Sequence, residues 1–289
     1  MSSGRSLVGA AVGILVGMLV SWAGSDGGAR VGGVPVFALC GALAFAVNWA
    51  AFVPALVART ERFYDLTGSL TYLTVVGAAT LLSGEPGPRS LLVAGLVAVW
   101  TLRLGTFLFR RVLREGKDRR FDQIKTDPAR FFLAWTLQGL WVLLTVSPAL
   151  AVITGPEQGG LDLAAVAGAA LWAVGFGIEV VADRQKAAFR RENPDGFISS
   201  GLWAWSRHPN YFGEILLWVG VTVIALPTLS GWRWVTVISP LFVTFLLTRV
   251  SGIPMLEARA DARWGDRPDY VRYKETTPVL VPRPPRGRR

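Results

Sequence analysis

The sequence is poor in the residues on which many soluble enzymes depend. Its 289 residues include one cysteine and one histidine, and only 17% are charged. One cysteine excludes an intrachain disulfide, and the two counts together argue against zinc and haem, so we predict no metal site. The sequence also lacks a P-loop, a Gly-x-Gly-x-x-Gly segment after a strand and a Gly-x-Ser-x-Gly segment. Any dinucleotide site is therefore not of the Rossmann type.

Hydrophobic residues make up 52% of the chain, and they occur in long blocks. Each block approaches the roughly 20 residues that a helix needs to cross a bilayer. The eight blocks are 6–24, 34–57, 66–82, 89–110, 131–153, 161–182, 210–228 and 233–255. Because a lipid-exposed strand edge is unstable, we predict an all-α polytopic bundle of about eight transmembrane helices in a single membrane domain, 1–289. The long first block and the absence of a cleavage pattern after it favour an anchor over a signal peptide.

The net charge of +10 is concentrated on one side of the predicted topology. Cationic residues cluster in the loop after the fourth block, in the loop after the sixth block and in the tail, whereas the other side keeps only Arg30, Arg89 and Arg233. The positive-inside rule therefore places both termini in the cytoplasm. Short loops held at a bilayer surface suit anionic lipid better than nucleic acid, which we exclude as a partner. No obligate protein partner is evident.

Polar residues are concentrated in the segment Arg207–Glu214, which we call the octapeptide and which contains the only histidine. An almost wholly apolar stretch, 215–226, follows it. Ionisable groups at the edge of a membrane helix are costly without a partner, so this segment is a candidate functional site. An anionic cofactor would be such a partner. The structural alternative is that Arg207 pairs internally with Glu214 and that His208 only packs or caps.

The octapeptide resembles the signature of a superfamily of membrane enzymes that includes sterol reductases, steroid 5α-reductases and isoprenylcysteine carboxyl methyltransferases. Within it, the chain is most similar to bacterial 5α-reductase-like proteins, long catalogued as a domain of unknown function. The resemblance runs from about Tyr64 to Pro282. It is carried by 65–72, 102–104, 114–121, 183–191, 201–203, 207–214 and 270–278. The resemblance implies a seven-helix reductase-like core with one extra N-terminal helix. The N-terminal helices lie in 1–60, the reductase-like core in 61–282 and a basic tail in 283–289.

The resemblance implies a bacterial inner-membrane enzyme that uses NADPH. The implied cofactor-binding residues are Asp183, Arg190, Asn210 and Glu214. Further candidates are Arg103, Arg119, Arg120, Arg207, His208, Arg249, Tyr270 and Tyr273. The residue types support a phosphate-bearing cofactor independently of the resemblance, because the paired N–H groups of an arginine guanidinium match phosphate geometry. Asn210 and Glu214, four residues apart, would share one helix face.

Reduction of an activated C=C bond also needs a donor at the carbonyl oxygen, where charge develops. Steroid 5α-reductases use a glutamate and a tyrosine there. The resemblance places Asp65 at the position of the glutamate and Trp100 near that of the tyrosine; Trp100 cannot act as an acid. Tyr72 or Tyr64 could replace it, and we name Asp65 and Tyr72 as catalytic candidates. Asp65 could instead be a helix N-cap.

We therefore expect an NADPH-dependent reductase acting on an enone-type bond of a lipophilic, steroid-like or isoprenoid substrate taken from the bilayer. A membrane methyltransferase that uses S-adenosylmethionine is the rival enzyme, since that branch shares the Arg-His-Pro-x-Tyr-x-Gly core. A transporter or structural membrane protein is the non-enzymatic rival. Transporters usually place ionisable groups near the bilayer midplane, whereas those of this chain cluster at one face.

Overall fold

The computed structural model describes residues 3–115, 121–156 and 160–285. Most of these residues are helical. A short antiparallel hairpin of two strands, β1 (Arg30–Val31) and β2 (Val34–Pro35), joins the first two helices. The helices of the first half are α1 (Ser3–Gly24), α2 (Val36–Ala58), α3 (Tyr64–Leu82), α4 (Pro88–Glu115) and α5 (Pro128–Ile153). Those of the second half are α6 (Leu163–Glu192), α7 (Pro209–Ala225), α8 (Ile238–Phe245), α9 (Ile253–Trp264) and α10 (Pro268–Thr276). The predicted all-α class is confirmed.

Eight helical segments within the described residues are long and apolar enough to cross a membrane. They coincide with the eight predicted blocks, including the third, which is interrupted by Gly68 and Thr71 yet forms the continuous helix α3. The last segment, Gly231–Trp264, is not one regular helix. It consists of a 3₁₀ segment, α8, a π-helical turn at Leu246–Val250, and α9. The chain is an integral membrane protein.

One predicted loop is helical. The apolar pattern predicts that the sixth span ends at residue 182 and that Arg184, Arg190 and their neighbours lie in the following loop, but α6 continues to Glu192. No glycine or proline interrupts 178–192, whereas Asn193-Pro194 follows directly. Because the residue before a proline is disfavoured in the α region, the helix ends there. Asp183 and Arg190 are therefore held on a regular helix.

The chain divides into two compact units, of which the first comprises Met1–Ala165 and Ile224–Ser239. Helix α5 is at its centre: α1, α2, α3 and α4 all contact it, and its residues 142–153 are all buried. Asp127 caps this helix by accepting hydrogen bonds from the backbone N–H groups of Ala129 and Arg130. The prediction of a single membrane domain stays a prediction.

Arg89 is a buried cation of this first unit, with 2% of its surface exposed. Its guanidinium donates to the carbonyl oxygens of Gly160 and Ile224 at 2.8 Å each and pairs with Asp162 at 2.7 Å. Lys125 likewise pairs with the buried Glu61 at 2.6 Å. Both cations have carboxylate partners, as burial of a charge requires.

The second unit comprises Val166–Val223 and Pro240–Arg289. Two glycine pairs bring α6 and α7 close together. A Cβ atom at Gly213 would lie 2.5 Å from the carbonyl oxygen of Gly175, and one at Gly220 would lie 2.6 Å from that of Gly168. Small residues of this kind allow membrane helices to approach backbone to backbone. The pairing fixes the start of α7, and with it the octapeptide, against the end of α6.

Candidate functional site

The octapeptide begins in a loop and continues into α7, with Pro209 at the first helical position. A proline is favoured there because it lacks the N–H group that would be unsatisfied anyway. Ser206 anchors the loop: its hydroxyl accepts from the N–H of His208 at 3.1 Å and donates to the carbonyl of Leu280 at 2.8 Å. The N–H of Arg207 donates to the carbonyl of Pro278 at 2.9 Å. The segment after α10 thus holds the octapeptide in place.

Glu257 of α9 connects the octapeptide to the last two helices. One carboxylate oxygen lies 2.9 Å from Arg207 Nη1 and 3.3 Å from Lys274 Nζ, and the other lies 2.9 Å from His208 Nε2. The acid that pairs with Arg207 is therefore Glu257, whereas the structural alternative from the sequence named Glu214. These partners lie 17 to 50 residues from Glu257 in the sequence, so the arrangement is tertiary.

Asp261, one turn after Glu257 on α9, extends this network. Its carboxylate accepts from Lys274 Nζ at 2.6 Å and from the hydroxyl of Tyr270 at 2.9 Å. The hydrogen bond to Asp261 raises the pKa of the Lys274 ammonium. Burial, followed by the hydrogen bond to Asp261, raises the pKa of Tyr270 far above its usual value. Both residues therefore keep their protons at neutral pH.

His208 is 5% exposed and stacks on Tyr211 with ring centroids 5.7 Å apart. Burial lowers the pKa of its imidazole, and the opposing contact with Glu257 does not reverse that direction. The ring is therefore neutral at pH 7. Its Nδ1 atom is buried and has no hydrogen-bond partner among the described residues, and the same holds for Nε of Arg207. Buried polar atoms without partners are rare in folded proteins, and a bound ligand is one explanation.

The facing turns of α6 and α7 carry a second group of polar residues. Asn210 donates from Nδ2 to a carboxylate oxygen of the buried Asp183 at 3.2 Å. Glu214 follows one turn later on α7, and the buried Glu179 precedes Asp183 by one turn on α6. The backbone of Glu179 lies directly against Gly213. Three of the four cofactor residues implied by the resemblance, Asp183, Asn210 and Glu214, are thus held on one closely packed pair of helices.

The remaining implied residues of this unit differ in exposure. Arg190, on the last turn of α6, and Arg249, in the π-helical turn, are exposed and make no hydrogen bond or ion pair to another described residue. Tyr273 donates its hydroxyl to the carbonyl of Trp203 at 2.8 Å, and burial raises its pKa well above the usual range. Lys186 lies over the Trp203 ring at 4.5 Å. The two tyrosines of α10 are therefore engaged within the protein, whereas the two arginines are available.

The first unit contains the two catalytic candidates. Phe63 occupies the N-cap position of α3 and Asp65 lies within its first turn, so the N-cap alternative for Asp65 is wrong. Tyr72 is buried two turns further on and packs edge-to-face against Trp100 of α4 at 5.2 Å. The hydroxyl of Tyr64 donates to the carbonyl of Ala134 at 3.0 Å. Of the two tyrosines considered, Tyr64 is thus committed to the backbone.

The cofactor candidates on and after α4 are only partly described. Arg103 is half-buried on this helix, with its guanidinium over the ring of Phe107 at 5.3 Å. Arg119 and Arg120 lie outside the described residues. Of Arg103, Arg119 and Arg120, the structure therefore describes the surroundings of Arg103 alone.

Sequence reasoning missed Glu257, Asp261, Lys274 and Glu179. A signal existed for Glu179, because it is the one acid between residues 163 and 182 of an otherwise apolar block, and a lone acid in a membrane helix needs a partner. Glu257 and Asp261 have helical i, i+4 spacing at the start of a basic tail, which marks a shared helix face. Their partners in the octapeptide and on α10 could not be read from spacing, since they depend on the tertiary fold.

Comparison with known proteins identifies a family and one relative. Residues 51–277 match the family described as "Protein of unknown function (DUF1295)", a range that contains all of α3 to α10 and the octapeptide. An uncharacterised protein of Schizosaccharomyces pombe is 27% identical over 179 residues. That alignment covers 50% of this chain and 51% of the relative, so the chain spans about half the length of that protein. No solved structure matches the chain. With most of its length covered by the family model, the chain belongs to the DUF1295 family.

Proposed function

We propose that this protein is a membrane reductase that uses NADPH to reduce an activated C=C bond of a lipophilic, steroid-like or isoprenoid substrate. The proposal includes a bacterial inner-membrane location with both termini and the octapeptide at the cytoplasmic face, where the dinucleotide is available. Its basis is the resemblance of the octapeptide and flanking segments to membrane sterol and steroid reductases, together with the chemistry of the second unit.

The observation that carries the proposal is that Arg207 Nε and His208 Nδ1, from neighbouring residues of the octapeptide, are both buried and lack a hydrogen-bond partner among the described residues. Leaving such a group unsatisfied costs about 1–3 kcal/mol, which a ligand with polar groups would recover. The flanking residues suit a nucleotide. Asn210 and Asp183 supply amide and carboxylate groups for sugar hydroxyls, and Glu214 lies one turn away.

Phosphate recognition requires cations that the protein does not already neutralise. Arg190 and Arg249 meet this requirement in the second unit, and so does the exposed Arg184, which makes no ion pair to a described residue. Guanidinium groups form paired hydrogen bonds to phosphate and are the preferred residues for it. Arg207 is a weaker phosphate ligand than the sequence indicated, because its charge is balanced by Glu257.

For the substrate, the proposal assigns donor roles to Asp65 and Tyr72 of α3. NADPH, when bound, would supply the hydride. The chain must provide a hydrogen-bond or proton donor to the substrate carbonyl, and a phenol suits that role at neutral pH. Tyr72 packs against Trp100, which the resemblance places near the tyrosine of those reductases. An apolar helical environment suits a substrate that enters from lipid.

One observation favours the methyltransferase alternative. Glu257 and Asp261 neutralise Arg207 and Lys274, and further carboxylates, among them Glu179 and Glu214, lie on the facing turns of α6 and α7. Carboxylates suit the cationic sulfonium of S-adenosylmethionine better than a pyrophosphate. The two hypotheses therefore differ in the charge of the cofactor that the octapeptide accepts.

The experiment is a titration of the purified full-length protein in detergent with NADPH, NADH and S-adenosylmethionine. Binding is followed by nicotinamide fluorescence and by thermal shift. We expect saturable binding of NADPH, and we expect Asn210→Ala to weaken it about tenfold, equivalent to about 1.4 kcal/mol. Asn193→Ala, an exposed asparagine of the adjacent loop, is the matched control and should bind as the unmodified protein does.

Each outcome has a distinct meaning. Binding of S-adenosylmethionine without NADPH would replace the reductase by the methyltransferase. Absence of binding by all three compounds would refute an enzyme of either class at this site. Equal effects of the Asn210 and Asn193 substitutions would remove the octapeptide from cofactor binding.

A further inference from the structure

A cavity of about 490 Å³ lies at one end of the first unit, between α1, α2 and the hairpin that joins them. It is formed mainly by residues 14–45, with Trp232 of the 3₁₀ segment completing one wall. Apart from Trp232, these residues precede the part of the chain that matches the family. All of the lining residues belong to the first unit, and none belongs to the octapeptide. Its volume is within the range of pockets that hold small ligands.

The cavity is elongated along the helices. On α1 its lining reaches from Ser25, just past the helix end, back to Ile14. Eleven residues of helix correspond to about 16 Å. The hydrocarbon core of a bilayer is about 30 Å thick, so this depth is close to that of one leaflet. A half-open cavity of this length between membrane helices matches an extended acyl chain.

The lining changes from apolar to polar towards the helix ends. The deep part contains Ile14, Met18 and Phe45, and the mouth contains Ser25, Asp26 and Arg30. Two tryptophans flank the mouth, Trp22 and Trp232, each more than 60% exposed, with ring centroids 5.5 Å apart. Tryptophan is enriched at the level of lipid headgroups, which places the mouth at the membrane surface.

Two opposite charges stand at this mouth, and both side chains are exposed. Asp26 accepts a hydrogen bond from the N–H of Trp232 at 2.9 Å through one carboxylate oxygen, which fixes its position. Arg30 donates from Nη1 to the carbonyl of Gly33 at 2.9 Å, which leaves further N–H groups of the guanidinium exposed. A carboxylate and a guanidinium together complement a headgroup that carries an ammonium and a phosphate.

We propose that this cavity binds one acyl chain of a phospholipid whose headgroup carries a primary ammonium. The ammonium hydrogen-bonds to Asp26, and the phosphate pairs with Arg30. A quaternary ammonium cannot donate such a hydrogen bond, and an anionic headgroup without an ammonium is repelled by Asp26. The site is thus selective for phosphatidylethanolamine over phosphatidylcholine and phosphatidylglycerol.

The test reconstitutes the full-length protein in nanodiscs that contain equal amounts of phosphatidylethanolamine, phosphatidylcholine and phosphatidylglycerol with identical acyl chains. Native mass spectrometry then identifies the lipid retained after release from the disc. We expect one phosphatidylethanolamine per protein, at least fivefold over either competitor. Asp26→Asn keeps an acceptor for the N–H of Trp232 and removes the charge, so it should reduce this preference to less than twofold.

A second variant tests the cavity itself. Ala42 is exposed and lines the cavity, so Ala42→Trp fills it without entering the core. Ala50→Trp introduces the same side chain at an exposed position on the same helix outside the cavity, and it is the matched control. We expect Ala42→Trp to lose the retained lipid and Ala50→Trp to keep it. Equal retention of the three lipids, or retention of phosphatidylethanolamine by Ala42→Trp at the level of Ala50→Trp, would overturn the proposal.

Discussion

Arg89 and Arg207 are both largely shielded from solvent, but their guanidinium groups differ in how many of their nitrogens are hydrogen-bonded within the protein. Arg89 uses every nitrogen, because Nε, Nη1 and Nη2 all reach carbonyl or carboxylate oxygens between 2.7 and 3.2 Å away. Arg207 pairs through Nη1 with Glu257, while its buried Nε has no hydrogen-bond partner in the described part of the chain. The adjacent His208 repeats the pattern, since its Nε2 is bonded and its Nδ1 has no partner within the same residues.

The difference separates structural cations from candidate binding residues. A guanidinium of which every nitrogen is bonded within its own protein offers little to a ligand, and its removal leaves carbonyl oxygens without a donor. Arg207 and His208, by contrast, are held in position by the contacts of their loop, but each keeps a buried nitrogen that could bind a ligand. Three substitutions or titrations can break or sharpen this distinction.

The largest effect is expected from Arg89→Ala. The substitution leaves the carbonyl oxygens of Gly160 and Ile224 without their donor, which should lower the free energy of unfolding by about 3 kcal/mol. Thermal or chemical unfolding in detergent measures this change, and the dissociation constant of NADPH should not move. Arg62→Ala, at an exposed arginine whose side chain makes no hydrogen bond or ion pair to a described residue, should stay within about 0.5 kcal/mol of the unmodified protein. Equal stability of the two variants would show that an arginine with every nitrogen bonded within the protein does not necessarily stabilise the fold.

Gly213→Ala tests how the octapeptide is positioned. The new Cβ atom would meet the backbone of Gly175 and Glu179 at 2.5 and 2.8 Å, so α6 and α7 must separate. Overpacking of this kind costs about 2 kcal/mol. Since Asn210 and Glu214 flank the glycine, NADPH binding should weaken as well, in contrast to Arg89→Ala. Gly177→Ala on α6 has nothing within 4 Å of its Cβ and should stabilise the helix by up to about 1 kcal/mol. A neutral Gly213→Ala would contradict the close helix contact.

The smallest expected effect is the pH dependence that His208 confers. Burial lowers its pKa in the folded protein, so at intermediate pH the unfolded chain binds a proton that the folded chain does not. Stability is therefore complete above the usual value of about 6.5 and declines as pH falls towards the folded-state pKa, by at most about 1.4 kcal/mol per pH unit. Unfolding midpoints between pH 5 and 8 measure the slope.

The protein is well suited to this measurement because His208 is its one histidine. His208→Gln should remove the slope between pH 5.5 and 7 while retaining a polar group next to Glu257. Persistence of the same slope in the variant would mean that another group titrates in this range, and that His208 is not buried in its neutral form.

Hydrophobic block length predicted the membrane spans well, because bilayer thickness imposes it on each helix separately. The residues of the octapeptide were also identifiable, since an isolated histidine and arginine at the edge of an apolar block are conspicuous. The extension of α6 to Glu192 was missed because charge was taken to mark a loop, although charged residues form helices readily outside the bilayer core.

The pairing partners could not be predicted. Arg207 joins Glu257, fifty residues later, and Arg89 contacts Ile224, 135 residues away. Such partners depend on how helices pack, and neither periodicity nor local charge reports that packing. Sequence reasoning therefore counted Arg89 as a charge that orients the chain, whereas the fold uses it to tie backbone segments together.

The polypeptide beyond α10 runs alongside the loop that precedes α7. The contacts that join them include the hydrogen bonds from the N–H of Arg207 to the carbonyl of Pro278, from the hydroxyl of Ser206 to the carbonyl of Leu280, and from the N–H of Arg283 to the carbonyl of Trp205 at 2.9 Å. An affinity tag or fusion partner attached shortly after this stretch would pull on the loop that bears the histidine. Purification handles belong at the other terminus, and a fluorophore at the exposed Val281 would report events around His208 without touching it.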